Sequence, residues 1–206
     1  MTKKIRTHIR DEKLVISRRD HIARHAARIF VKQGYDKTTT REIARECNMT
    51  MGTLYRYVGS KEDILYLVMD QDLSAVANYF DEVIADVGEL SPLEAIKRAI
   101  EEFYRRVDTV QDFGILFYQE AKSLSPRARK SVMEAEKGIV DAFEKILIRG
   151  HEAGDFTVDN SKLVAHDIVV AGEMWAVRRW FLRECCTLDE YIKREIEWVL
   201  KGISAI

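Results

Sequence analysis

Residues 39–58 read TTREIARECNMTMGTLYRYV, and the reading of the whole chain follows from them. Thr39 and Glu42 stand at the spacing Ser/Thr-x-x-Asp/Glu, in which the hydroxyl accepts from an early helix amide and the acid reaches back to the cap. A short helix from Thr39 turns Ile43 and Ala44 inward. Asn48–Met49 then supplies a tight turn, because asparagine tolerates the left-handed backbone conformation that such joints require. A second short helix starts at Thr50 with Leu54 facing inward, and Ile43, Ala44, Met49, Leu54 and Val58 are spaced to close a small core between the two. This is a helix-turn-helix, whose second helix can enter the major groove of a duplex with its N-terminus leading.

The polar residues of the same stretch agree with that docking. Thr50, Gly52 and Thr53 leave the helix start uncrowded, so that its amides and partial positive charge can approach a phosphate. Tyr55 and Tyr57 offer hydroxyls to backbone oxygens, and Arg41, Arg45, Arg56 and Lys61 supply charge. With Thr39 and Met51 on the same two helices, the candidate contacts are Thr39, Arg41, Thr50, Met51, Gly52, Thr53, Tyr55, Arg56, Tyr57 and Lys61. The alternative use of these residues is plainer: Tyr55 in the core, and the basic side chains on a solvated face.

Charge along the chain points the same way. The 206 residues carry a formal net charge of −1, but residues 1–61 hold 15 Lys+Arg against 6 Asp+Glu, and residues 62–206 hold 18 against 28. A basic head on an acidic body suits a head that meets a polyanion. The seam divides the chain into a basic arm (1–16), a helix-turn-helix domain (17–61) and an acidic domain (62–206). The arm holds Lys3, Lys4, Arg6, Arg10 and Lys13 without strong helical punctuation, and either follows a groove or the DNA backbone or is a disordered tail. Composition, 47% hydrophobic with two prolines and ten glycines, excludes collagen-like and wholly disordered chains.

Helix starts are marked at Ser17/Asp20, Thr39/Glu42, Ser60/Asp63, Ser91/Glu94 and Thr187/Glu190, with Pro92 and Pro126 at first helical positions. The expected helices are 17–34, two short ones from Thr39 and Thr50, then 60–88, 91–107, 109–121, 126–152, 159–184 and 188–203. No segment alternates apolar and polar residues convincingly, so the class is all-α with about nine helices. The longest run without a charged residue is the nine residues 47–55, far short of the ~20 that a membrane helix needs. No apolar leader follows the basic first residues, and the three cysteines, two of them adjacent, make no disulfide framework; a reducing cytoplasm is the expected location.

Ser17 to Leu65 closely resembles the DNA-binding domain of the TetR family of transcriptional regulators. The matching features are Phe30…Gly34-Tyr35, Thr38-Thr39-Thr40-Arg41-Glu42-Ile43-Ala44, Gly52-Thr53-Leu54-Tyr55-Arg56-Tyr57 and Gly59-Ser60-Lys61-Glu62. The chain departs from the pattern at Met51, where a lysine is common, and at Val58, where phenylalanine is usual. The resemblance implies a homodimer that binds a near-palindromic double-stranded operator, with recognition helices about one DNA turn, ~34 Å, apart. It implies repression as the default, and a dimer interface built by the last two helices, here offering Val164, Ile168, Ala171, Gly172, Trp180, Ile192, Ile196 and Val199. Trp175 is a second tryptophan available either there or to a pocket.

The middle helices are expected to surround an effector pocket, with Phe103, Phe113, Phe117, Tyr118, Met133, Phe143 and Trp175 as its candidate lining. The segment Leu116–Pro126, LFYQEAKSLSP, is similar to one in family members that control fatty-acid or acyl-CoA metabolism. That resemblance implies an elongated acyl thioester whose phosphates Arg178 and Arg179 could meet, surface pairing with acids being the alternative use of either arginine. A multidrug sensor, or a thiol-redox sensor using Cys185 and Cys186, is the rival reading of the same helix-turn-helix.

An enzyme is not expected. His21 and His25 stand four apart and could share a metal, but no third ligand is evident, so no metal site or cofactor is assigned. No phosphate-cradling glycine loop, nucleophile elbow or Cys-x-x-Cys pattern is present, and His151 and His166 read as surface or packing residues.

Overall fold

The computed structural model describes residues 5–7 and 9–203, so Lys3 and Lys4 of the expected arm lie outside the described residues. Among the described residues the chain is all-helical. Ten α-helices follow in order: α1 Glu12–Gln33, α2 Thr40–Glu46, α3 Met51–Tyr55, α4 Lys61–Asp86, α5 Pro92–Thr109, α6 Gln111–Glu120, α7 Pro126–Glu152, α8 Ser161–Val177, α9 Arg179–Cys185 and α10 Leu188–Ile203. Short 3-10 turns at Val87–Glu89 and Ala121–Ser123 follow α4 and α6.

Four of the five expected caps are formed. The Thr39, Ser60, Ser91 and Thr187 hydroxyls accept from the amides of Glu42, Asp63, Glu94 and Glu190 at 3.0–3.3 Å. Ser17 is the exception and lies inside α1, because Asp11 starts that helix earlier: its carboxylate accepts from the Leu14 amide at 3.0 Å, and nothing between them breaks the helix. Lys13 of the expected arm is therefore helical. The expected helix 159–184 is also divided, at Arg178 (φ −105°, ψ 20°). Beyond that joint Arg179 and Arg183 reach Asp112 and Asp108 at 2.8 and 3.2 Å, which directs α9 toward the α5–α6 junction.

Contacts divide the chain into two compact units, each discontinuous in sequence: Met1–Ser74 with Ile115–Ala135, and Ala75–Gly114 with Glu136–Ile206. The change of charge at residue 61 falls inside the first unit. That unit includes residues 115–135 because α4 binds them: a Glu62 carboxylate oxygen accepts from the Ser125 amide at 3.1 Å, and the Tyr66 and Ser131 hydroxyls lie 3.4 Å apart. Its core holds Ile22, Ala26 and Phe30 of α1, Ile43 and Ala44 of α2, Leu54 of α3 and Ile64, Leu65 and Met69 of α4.

The second unit is organised on α5, which packs against α8 and α10. Its buried stripe, Ala95, Ile96, Ala99, Ile100, Phe103, Tyr104 and Val107, follows the three-and-four spacing of one helix face. Phe103 meets Phe143 of α7 edge-on at 5.7 Å between ring centres, and Trp175 of α8 lies 5.2 Å from Tyr191 of α10. The buried polar tips are satisfied: Tyr104 donates to the Ile168 carbonyl, Tyr191 to the Ala171 carbonyl and Trp175 Nε1 to Asp108, at 3.0, 2.8 and 2.7 Å.

Candidate nucleic-acid interface

The joint between α2 and α3 is built by Asn48, whose φ of 54° is the one left-handed backbone among the described non-glycine residues. Its amide donates to the Arg45 carbonyl at 3.0 Å, and the Met49 amide donates to the Ala44 carbonyl at 2.8 Å. These two bonds are the Schellman termination of a helix, with asparagine in the place glycine usually takes. They release the chain directly into the Thr50 cap of α3, whose hydroxyl accepts from the Thr53 amide at 3.1 Å. Leu54 and Val58 are fully buried, so α3 is held by one side and leaves the other open.

On the open side Thr50, Gly52, Tyr55 and Arg56 are exposed and Met51 and Thr53 half-buried. A Cβ at Gly52 would meet no atom closer than the Thr50 hydroxyl at 4.0 Å, so the helix start is uncrowded. The Tyr55 hydroxyl lies 3.3 Å from that of Thr40, which links the exposed edges of α3 and α2. Arg41 and Arg45 are exposed on α2.

Three of the candidate contacts have other roles. Tyr57 is only 7% exposed, and its ring belongs to the core. Thr39 is spent in a full capping box: its hydroxyl and amide both engage Glu42, which holds that carboxyl below its usual range. Lys61 points its ammonium back into the protein, donating to the carbonyls of Tyr35, Asp36 and Thr38 at 2.9, 3.3 and 3.0 Å and lying 4.2 Å over the Tyr35 ring. The spacing of residues identifies the helices correctly, but a lysine at a helix start can serve a loop distant in sequence as readily as a phosphate.

The His21 and His25 ring centres lie 4.4 Å apart with their planes tilted by 55°, and His21 Nε2 lies 3.1 Å from the Cys47 carbonyl oxygen, closing α1 onto the end of α2. Burial, then the neighbouring His21 and Arg28, hold His25 below its ordinary pKa. Among the described residues no three His, Cys, Asp or Glu side chains gather as a metal ion would need. Cys47 is buried and its thiol pushed up to about 11, while Cys185 is exposed and burial raises Cys186.

In the second unit the expected pocket and interface residues separate by burial. Phe103, Phe143 and Trp175 are packed in the core, and Phe113 is half-buried at the start of α6. The remaining three lie in the first unit, Phe117 buried and Tyr118 and Met133 exposed. Ile168, Gly172 and Ile192, expected at a dimer interface, are buried within their own subunit. A Cβ on Gly172 would meet the rings of Phe103 and Tyr104 at 2.8 and 2.7 Å, so the small residue serves the α5–α8 contact. Val164, Ala171, Ile196 and Val199 remain partly accessible. Val164, Ala171 and Val199 line an open groove of about 340 Å³ between α8 and α10, together with Trp198. Trp198 is 70% exposed and was not among the residues expected there. Its signal was a second stripe, Tyr191, Glu195, Trp198 and Gly202, one residue off the stripe Ile192, Ile196, Val199 and Ile203. Trp180 is exposed on α9 under the Arg178 guanidinium, 5.2 Å from its ring centre, and Arg179 is paired with Asp112.

Residues 22–66 match the family described as bacterial regulatory proteins, tetR family, and residues 89–199 match tetracyclin repressor-like, C-terminal domain. Over 191 residues the chain is 32% identical to the HTH-type transcriptional regulator HbdR of Aromatoleum sp. (strain CIB), a match covering 92% of this chain and 82% of that protein. A solved bacterial regulatory protein of the tetR family from Rhodococcus RHA1 has the same fold, with a TM-score of 0.80 at 23% identity over 92% of this chain and 98% of that one. So does FadR from Bacillus subtilis, solved in complex with stearoyl-CoA, with a TM-score of 0.75 at 19% identity over 89% and 98% of the two chains.

Proposed function

The chain belongs to the TetR family of bacterial transcriptional regulators, and from that premise we propose that it is a homodimeric repressor released from a near-palindromic operator by an acyl-CoA-like effector. It is a DNA-binding regulator and not an enzyme. The observation that carries the DNA reading is the open face of α3, where Thr50, Gly52, Tyr55 and Arg56 stand exposed on a helix anchored by Leu54 and aimed by the Asn48 joint. Met51 brings a thioether and no charge to this face, so Arg41, Arg45 and Arg56 supply the charge that phosphate contacts need. No helix among the described residues is long and apolar enough to cross a membrane.

The second copy is proposed to cover the α8–α10 groove, since a large exposed tryptophan over apolar neighbours is the usual anchor of a stable interface. For the effector, two likenesses support an acyl thioester: the fold shared with the stearoyl-CoA complex of FadR, and the similarity of residues 116–126 to regulators of fatty-acid metabolism. Phe113, half-buried at the start of α6, is the aromatic candidate for the acyl chain in the second unit.

Release follows from linkage. An effector that favours a dimer unable to span both half-sites weakens DNA binding by the factor with which DNA weakens its own, ~5–150-fold for a coupling of ~1–3 kcal/mol. α4, continuous from Lys61 to Asp86, is the proposed lever. The test is affinity for a duplex recovered from a random-sequence library, measured with free CoA, short-chain and long-chain acyl-CoA. Weakening by the acyl thioesters and not by free CoA is expected. No shift with any thioester, alongside release by a drug-like cation, would replace this reading with a multidrug sensor.

A further inference from the structure

Residues 5–7 and 9–11 do not leave the first unit as a free tail. Ile5 is buried, with 6% of its surface exposed. The Arg19 guanidinium of α1 clamps the segment from beneath, Nη2 donating to the Ile5 carbonyl at 2.9 Å and Nε to the Tyr57 carbonyl at 3.0 Å. Two residues on, the Thr7 hydroxyl donates to the carbonyl of Arg56 at 2.9 Å and accepts from the Ile9 amide at 3.2 Å. Arg56 is the C-cap of α3, so Thr7 satisfies a carbonyl that the end of a helix leaves without an intrahelical partner. The segment is thus fixed at both sides of Arg6 to the recognition helix and the helix beneath it.

We infer that this docked arm is part of the DNA-binding surface, presenting Arg6 and Arg10 to the phosphates that border the groove occupied by α3. The inference rests on the DNA-binding reading above. α3 has five residues, so its axis spans only ~7.5 Å and its C-terminal end stays close to the strand its N-terminal end reads. Arg6 and Arg10 are both exposed, and so is Arg56, whose carbonyl Thr7 holds. Of the acids in the same stretch, Asp11 is committed to the Leu14 amide as the α1 cap, and Glu12 lies in the first turn of α1. An arginine held on a docked backbone loses less freedom on meeting a phosphate than one on a loose tail, so the docking itself favours the contact.

The test uses the full-length chain and a duplex recovered from a random-sequence library, with affinity followed from about 50 to 300 mM salt. Each phosphate contact contributes ~0.9 to the slope of log K against log salt, so a residue used by both heads of a dimer contributes ~1.8. Arg6→Ala/Arg10→Ala is expected to reduce the slope by up to about 3.6 and to weaken binding more than tenfold at the low-salt end. Thr7→Val keeps every charge and removes the bond to α3; it is expected to weaken binding several-fold with a smaller change of slope. An unchanged slope in the double variant overturns the inference, and an unaffected Thr7→Val overturns the docked geometry as its cause. If the wild-type chain recovers no duplex, the DNA-binding reading itself fails, an outcome separate from both.

Discussion

Tyr104 and Gly172 approach so closely that a Cβ placed on the glycine would stand 2.7 Å from the tyrosine ring. Tyr104 cannot withdraw, because it is fully buried and its hydroxyl donates to the Ile168 carbonyl one turn away on α8. Gly172→Ala therefore sets the ~1 kcal/mol that alanine contributes to a helix interior against an overpacking cost of ~1–3 kcal/mol. A net loss of up to about 2 kcal/mol is expected in urea unfolding, with the second unit affected first. A neutral or stabilising Gly172→Ala would show that α5 and α8 separate more easily than this contact allows.

Lys61 separates a structural lysine from a phosphate-binding one. Its ammonium is shared among three carbonyls of the α1–α2 loop and lies over the Tyr35 ring. Lys61→Met is expected to cost about 1–2 kcal/mol, the value of partly exposed hydrogen bonds to a charged group. The salt dependence of DNA binding should stay as in the wild type. Arg56→Ala should do the reverse, leaving thermal stability unchanged and flattening the dependence of log K on log salt by ~1.8 for a dimer. If Lys61→Met flattens the salt dependence instead, the lysine leaves its loop to meet DNA.

These two sites show what the sequence made legible. Caps and turns are written in two or three neighbouring residues, so Thr39/Glu42, Asn48 and Ser91 could be read directly, and the helix-turn-helix with them. Lys61, Tyr57 and Gly172 could not be read that way. What each touches, the Tyr35 loop, the Arg19 side chain and the Tyr104 ring, lies 23–68 residues away and is chosen by packing. The early start of α1 was missed for a local reason: Asp11 caps without an acid at the third position that would complete the box. The split at Arg178 was missed because its cause, ion pairs to Asp108 and Asp112, is tertiary.

Glu136 of α7 gives the second unit a pH dependence near neutrality. Burial, reinforced by the Glu173 carboxylate and the hydrogen bond between them, pushes it up to about 7, with His166 opposing. Below about pH 4.5 the group is neutral in both states. Between there and about 7 the unfolded chain releases its proton and the folded chain keeps it, so stability falls as pH rises. Above 7 the loss is complete. A shift of this size amounts to about 1–3 kcal/mol once partial solvent access is allowed for. Glu136→Gln mimics the neutral form, so it should be more stable than wild type at pH 8 and equal to it at pH 4.5, as urea unfolding at the two values will show. A variant destabilised equally at both would mean that the carboxyl is needed for a bond the amide cannot make.

Trp198 carries the prediction on assembly. Its side chain is 70% exposed beside a groove lined by Val164, Ala171 and Val199, so its replacement disturbs little inside the subunit. Buried at the centre of a dimer, a tryptophan contributes more than ~2 kcal/mol on truncation, and a carboxylate there adds the cost of desolvating an unpaired charge. Trp198→Glu is therefore expected to raise the dimer dissociation constant at least ~100-fold, and sedimentation velocity should show folded monomers with unchanged helicity. Operator binding should then fall to that of single half-sites, while the isolated head contacts stay intact. The exposed pair Trp180 and Phe181 on α9 provides the control, since Trp180→Glu lies outside the groove and should leave the dimer whole. If Trp180→Glu dissociates the protein and Trp198→Glu does not, the second copy sits on α9 and the α8–α10 groove is free for another occupant.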